Sequence, residues 1–212
     1  YPVQQYTFSS CSNGERVRYS LVEGAGDGVN LGENVDLYSL IWRFFLSTDS
    51  SLPERDFKIL ALGDSYTIGQ SVCTICSFPE QLKASLQLEY AEKDSFTLQV
   101  IAKTGWTTTN LKTAIITEDP SSDFDLVTLL IGVNNQYQNK AFSLYETEFV
   151  ELVNSATSFV AGDTTKLIVV SIPDYAFTPF GQNYNPTEIS AELELYNNFA
   201  QEYAEENTLS YV

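Results

Sequence analysis

From residue 56 to residue 212, short apolar runs alternate with amphipathic stretches, and this alternation leaves the chain very few folds. Residues 57–62, 97–102, 126–131, 166–172 and 209–212 are apolar runs of strand length. Between them, residues 78–92 place Phe78, Leu82, Leu86 and Tyr90 four apart, a helical spacing. Residues 107–117, 143–160 and 186–205 also have helical patterns, with cap residues at Thr107, Thr108 and Thr109, a stop near Gly162 and an opening at Pro186. Pro173 halts the fourth strand. Strands and helices of these lengths, in this order, require parallel strands joined by right-handed crossovers, with helices on both faces. The expectation is an α/β chain in three αβα layers. Ligands of such a sheet bind beyond the carboxyl ends of its strands. Attention therefore falls on residues 63–65, 103–105, 132–135 and 173–175.

Residues 1–50 stand outside this rhythm. Residues 16–22 alternate like a strand, 24–28 form a glycine-rich loop, 36–46 read as a helix, and 47–54 are a polar linker containing Pro53. A small strand–loop–helix segment is thus expected ahead of a main domain at 56–212.

Charge and cysteine content narrow the partners. A formal charge of −17 repels nucleic acid and anionic membrane surfaces while leaving a neutral small substrate unaffected. No apolar run approaches the ~20 residues that span a bilayer. Cys73 and Cys76 are compatible with a redox couple, half a zinc site or a local disulfide, and only Cys11 remains as a third thiol. With no histidine in the chain, a structural or locally oxidised pair is the favoured reading, and no metal or cofactor is called for. The oligomeric state is left open.

The chemistry gathers at the strand ends. Ser65 follows an apolar strand through Gly63 and Asp64, which presents its hydroxyl and its backbone N–H together at the cleft. Gly105 ends the second strand, where the absence of a Cβ lets a substrate carbonyl approach the backbone. Asn134 ends the third strand and brings a neutral amide donor. An acyl-transfer transition state needs such donors converging on its developing oxyanion, each worth ~3 kcal/mol. Each signal alone is weak, because Gly-Asp-Ser and Asn-Asn are ordinary turn and cap sequences. A phosphate-binding loop is excluded by the spacing of Gly63 and Gly69 and by Gln70 where lysine would stand. The Gly-x-Ser-x-Gly elbow is excluded by Thr67. A Ser65–Lys103 pair is weaker than a solvated lysine.

Taken in order, these blocks resemble the SGNH (GDSL-type) hydrolase family from about residue 57 to 212. Gly63-Asp64-Ser65-Tyr66 is similar to its first block, with Tyr66 for the commoner leucine, and Gly105 falls where the second has its glycine. Gly132-Val133-Asn134-Asn135 is similar to the third, with Asn135 departing from the usual aspartate. The resemblance implies a flavodoxin-like sheet and a serine esterase working through an acyl-enzyme on a small-molecule or polysaccharide ester, including acyl groups on carbohydrate. Ser65 would be the nucleophile, and the Ser65 N–H, the Gly105 N–H and the Asn134 side chain would form the oxyanion hole. Asp64, Trp106, Asn135 and Tyr175 are expected to line the substrate cleft. A secreted or periplasmic location accompanies the family. The alternative is a hydrolase-like module that binds a glycan or acyl group without turnover, stacking it on Trp106, Tyr137, Tyr175 and Phe177.

Serine needs a base, most often imidazole. The family's Asp-x-x-His block follows the fifth strand, so the block is expected beyond residue 212 and the 212 residues alone are expected to be nearly inactive. Residues 22–28 with 36–45 resemble the closing strand, loop and helix of an α/β-hydrolase of the polyhydroxybutyrate depolymerase or feruloyl esterase type. Asp27 stands where that loop carries its histidine.

Overall fold

The computed structural model describes residues 3–8, 17–22, 55–90 and 94–212. The chain divides into two units, Tyr1–Glu54 and Arg55–Val212. In the first, β1 (Val3–Phe8) and β2 (Val17–Val22) pair antiparallel with Val3 opposite Val22. β2 covers the expected strand at 16–22, and β1 had no counterpart in the sequence reading. The loop at 24–28, the helix at 36–46 and Cys11 lie outside the described residues.

The second unit is a five-stranded sheet in the order β4-β3-β5-β6-β7, with every pair parallel. Its strands are β3 (Arg55–Gly63), β4 (Asp94–Ala102), β5 (Leu126–Leu130), β6 (Leu167–Val169) and β7 (Ser210–Tyr211). Its helices are α1 (Ser65–Ile68), α2 (Phe78–Tyr90), α3 (Thr108–Glu118), α4 (Val133–Tyr137), α5 (Phe142–Phe159) and α6 (Pro186–Glu206). This is the flavodoxin-like order in which the chain steps one way from the first strand and then reverses. With right-handed crossovers, the reversal puts α2 on one face of the sheet and α3, α5 and α6 on the other. The expected three-layer fold is the one found.

β3 is apolar without interruption because it is central and covered on both faces; Ile59, Leu60, Ala61 and Leu62 are all buried. α5 buries Tyr145, Phe149, Leu152, Val153, Ala156 and Phe159, a stripe at helical period. It meets α6 through edge-to-face and tilted rings, with the Tyr145 and Tyr196 centroids 4.5 Å apart. β6 is shorter than the expected 166–172. A turn of 3-10 helix occupies Thr164–Lys166, and the Ile172 backbone is taken up by α6, where Asn197 accepts from its N–H at 2.8 Å and donates to its carbonyl at 3.0 Å. A side chain thus replaces the next strand's peptide group and turns the chain out of the sheet. None of the described helices is long and apolar enough to cross a membrane.

Candidate active site

Register brings the strand ends level. Gly63 of β3 stands opposite Ala102 of β4 and Leu130 of β5, so the residues that follow these three strands emerge side by side at the reversal point of the sheet. Ser65 follows Gly63 by two positions, Gly105 follows Ala102 by three, and Asn134 follows Leu130 by four.

Gly63 is fixed by crowding, because a Cβ there would overlap the Thr67 side chain and the Leu130 carbonyl. The strand then breaks into α1. Asp64 caps this short helix, its Oδ1 accepting from the Tyr66 N–H at 3.0 Å. Ser65 is half-buried and is the first helical residue, so its N–H has no acceptor within the helix. Gly69 closes α1 in the left-handed region at φ 69°. Burial raises the Asp64 carboxyl to about 7, against the opposing pull of the Tyr66 N–H. Burial also pushes the neighbouring Tyr66 phenol up to about 12, with the Asp64 charge adding to it. The Tyr66 hydroxyl points to the Pro173 carbonyl at 3.5 Å.

Gly105 has φ 80°, and a Cβ there would meet open space. Glycine serves this turn through backbone conformation, where Gly63 serves through lack of room. Two amide side chains, Asn134 on α4 and Gln138 just after its end, hold the turn in place. Asn134 Nδ2 donates to the Trp106 carbonyl at 3.0 Å, and Gln138 Nε2 donates to the Gly105 carbonyl at 2.9 Å. The Asn134 amide has a second hydrogen for a ligand. The other side of the turn is tied to the end of α1, where Thr104 Oγ1 donates to Gln70 Oε1 at 2.6 Å. Gln138 is absent from the sequence reading; its four-residue spacing from Asn134 was the available signal.

Asp64 and Asn135, both expected to line the cleft, have no exposed surface, so neither presents a face to a ligand. Asn135 instead anchors α3. Its Oδ1 accepts from the Thr108 N–H at 3.0 Å and its Nδ2 donates to Thr108 Oγ1 at 2.7 Å. Thr108 Oγ1 in turn donates its single proton to buried Glu148 at 2.5 Å, and Thr109 Oγ1 donates to the same carboxylate at 2.8 Å. This relay explains why an amide stands at 135. The Thr108 proton is already committed to Glu148, so a carboxylate at 135 would face a second acceptor.

Trp106 is half-buried and packs against the core. Tyr175 is nearly buried and donates its hydroxyl to Gln136 Oε1 at 2.9 Å. Asp174 is committed to structure, accepting from the Ala176 N–H at 2.8 Å and from Ser190 Oγ at 2.5 Å. Lys103 is exposed. Cys73 and Cys76 form a disulfide in the exposed loop after α1. No cluster of metal-ligating side chains occurs among the described residues. An open depression of about 520 Å³ between Ile75 and α2 contains none of the strand-end residues.

The sheet edge thus carries half-buried Ser65, the Gly105 turn and the Asn134 amide on three neighbouring strand ends. Comparison with known proteins gives the family and the fold. The sequence model of the GDSL-like lipase/acylhydrolase family matches residues 61–212. The fold is similar to AlinE4, an SGNH-hydrolase family esterase, with a TM-score of 0.55, 16% identity, and coverage of 76% of this chain and 77% of that one. A lipolytic protein of the G-D-S-L family from Veillonella parvula also gives 0.55 at 16% identity, covering 74% and 76% of the two chains. Axe2, an acetylxylan esterase from Geobacillus stearothermophilus, gives 0.52 at 19% identity over 74% and 75%. No curated protein matches by sequence.

Proposed function

Since this chain belongs to the GDSL-like lipase/acylhydrolase family, we propose that it is built for hydrolysis of carboxylic esters with Ser65 as nucleophile. The Ser65 and Gly105 N–H groups and the Asn134 amide hold the oxyanion. Ser65 Oγ attacks the ester carbonyl carbon and forms the acyl-enzyme bond as its proton passes to water or to added imidazole. The alcohol leaves with a proton, and water then releases the acid in the same geometry. The observation that supports this reading is the pair of bonds from Asn134 and Gln138 to the Trp106 and Gly105 carbonyls, which tie the Gly105 turn to α4 at the sheet edge where Ser65 also emerges.

The 212 residues hold no imidazole. Asp174 is committed elsewhere and Asp64 is enclosed, so neither can take the serine proton in this geometry. The chain by itself should therefore be a slow esterase, at the roughly 10³-fold level over water that oxyanion stabilisation and binding sustain without a base. Added imidazole tests this. Hydrolysis of p-nitrophenyl acetate should rise with imidazole concentration above the imidazole-only rate, and labelling of Ser65 by a fluorophosphonate probe should rise with imidazole in the same way. Both signals should vanish in Ser65→Ala. Equal imidazole-dependent rates in the wild-type chain and Ser65→Ala would refute the assignment.

A further inference from the structure

Beside the Ser65 cleft, four aromatic rings converge in a way the chemistry of ester cleavage does not require. Tyr137 closes α4 three residues after Asn134. Its ring centroid lies 6.3 Å from Tyr175, 6.0 Å from Phe180 and 6.5 Å from Tyr184. Phe180 and Tyr184 are 5.1 Å apart. Tyr175 is the foundation, nearly buried and fixed through Gln136, whose Nε2 donates onward to Glu192 at 2.7 Å. The outer three stay 46%, 50% and 54% exposed. Burial of an aromatic side chain is favourable, so three half-exposed rings in one place forgo stability. A clustered apolar surface of this kind marks a binding site more often than chance.

The rings are also held in advance of any ligand. The loop carrying Phe180 and Tyr184 satisfies its polar groups internally. Thr178 Oγ1 accepts from the Gly181 N–H at 3.1 Å, and Gln182 Nε2 donates to the Ala176 carbonyl at 2.6 Å. Gly181 lies so close to the Tyr175 carbonyl that no Cβ fits. Such a loop does not have to be ordered by the ligand, which removes a main cost of binding.

We propose that this cluster is a stacking platform for a pyranose ring with equatorial substituents, so that the ester presented to Ser65 is an acylated carbohydrate. The proposal rests on the assignment of Ser65 as nucleophile. An equatorially substituted pyranose offers flat C–H faces to aromatic rings and keeps its hydroxyls at the rim, in reach of water and of tyrosine hydroxyls. An alkyl or aromatic acyl chain needs enclosed apolar walls to be desolvated, and these rings are open to solvent on their outer side. The charge of −17 and Glu192 below the platform disfavour an anionic ligand. Continuity with the cleft comes from α4, which carries both Asn134 and Tyr137, and from the contact of Tyr66 with Pro173 ahead of Tyr175.

Calorimetric titration of the intact 212-residue chain with xylotetraose and with cellotetraose tests this. At least one should bind saturably. Tyr184→Ala and Phe180→Ala should each raise Kd by about fivefold or more, while Tyr184→Phe, which keeps the ring, stays within about twofold. Ser65→Ala should leave oligosaccharide binding unchanged, and the neutral competitors octanamide and methyl ferulate should not compete. Fluorophosphonate labelling of Ser65 reports on the nucleophile separately, and it should persist in the platform variants. Absence of saturable oligosaccharide binding would overturn the platform, as would equal Kd values in the alanine variants or displacement by octanamide or methyl ferulate. Absence of imidazole-dependent labelling in the wild-type chain, with oligosaccharide binding intact, would overturn the nucleophile instead.

Discussion

Replacing Asp64 by asparagine should make the protein more stable at pH 8 and change little at pH 4. The side chain has no exposed surface, Oδ1 is occupied by the Tyr66 N–H, and Oδ2 has no partner among the described residues. Burial therefore disfavours its charged form and raises the carboxyl from an ordinary 3.8 to about 7. The unfolded chain releases this proton near 3.8, while the folded chain holds it until about 7. In that window the unfolded state binds fewer protons, so stability is full below the lower value and falls as pH rises toward the upper one. At about 1.4 kcal/mol per pH unit, a rise from 3.8 to about 7 sets a ceiling of about 4 kcal/mol. Asparagine keeps the shape and the acceptor for Tyr66 without a proton to lose. The assay is urea unfolding of the wild-type chain and Asp64→Asn from pH 4 to pH 8. The wild type's stability relative to the variant should fall by up to that ceiling, a midpoint displacement of about 2 M for a slope near 2 kcal/mol/M. Comparing the two proteins cancels the background from the other carboxylates. A stability difference that stays constant to within about 1 kcal/mol across the range would refute the reasoning, whichever protein is the more stable.

Three further outcomes arise from the site's construction. Gly63→Ala drives a Cβ into Thr67 and the Leu130 carbonyl and should cost about 2–3 kcal/mol. Gly105→Ala meets no neighbour and should cost only the left-handed strain of about 1–2 kcal/mol; thermal melts that rank the two the other way contradict this account. Asn134→Ala should lower imidazole-supported hydrolysis by about 10²–10³, with a much smaller change in melting temperature, and an unchanged rate would remove Asn134 from the oxyanion hole. Asn135→Asp should destabilise the fold by about 1–3 kcal/mol at neutral pH, because Thr108 has already given its proton to Glu148. Adding Glu148→Gln should recover part of that loss by freeing the proton, and a double-mutant cycle with coupling near zero would show that Asn135 and Glu148 do not act through Thr108.

The layers of the fold were legible because each depends on a local pattern. β3 reads as an unbroken apolar run since both its faces are covered, and α5 reads as a helix since Tyr145, Phe149, Leu152 and Ala156 recur at its period. The candidate residues were legible for a related reason. Parallel strands put every strand end on one edge of the sheet, so the residues just after each apolar run are the residues of that edge. The failures share a physical cause as well. The run 166–172 reads as strand to its end, yet Ile172 takes its backbone hydrogen bonds from Asn197, twenty-five positions away, instead of from a neighbouring strand. Asp64 and Asn135 look like ligand contacts because polar residues beside a reactive one usually face solvent, and nothing local records that Thr108 and Glu148 enclose Asn135.

The sequence by itself determined the alternation of elements, hence the parallel sheet, the edge on which chemistry is possible, and the serine, glycine and asparagine that stand there. Periodicity and turn chemistry are properties of neighbouring residues, so they survive in one dimension. Tertiary structure alone decided which polar groups face the cleft and which are consumed in holding it. It assigned Gln138 to the glycine turn, withdrew Asp64 and Asn135 from contact, and gathered Tyr137, Phe180 and Tyr184 from separate segments into one exposed cluster. Burial and hydrogen-bond partnership depend on residues distant in the chain, and only the packed sheet and helices set those distances.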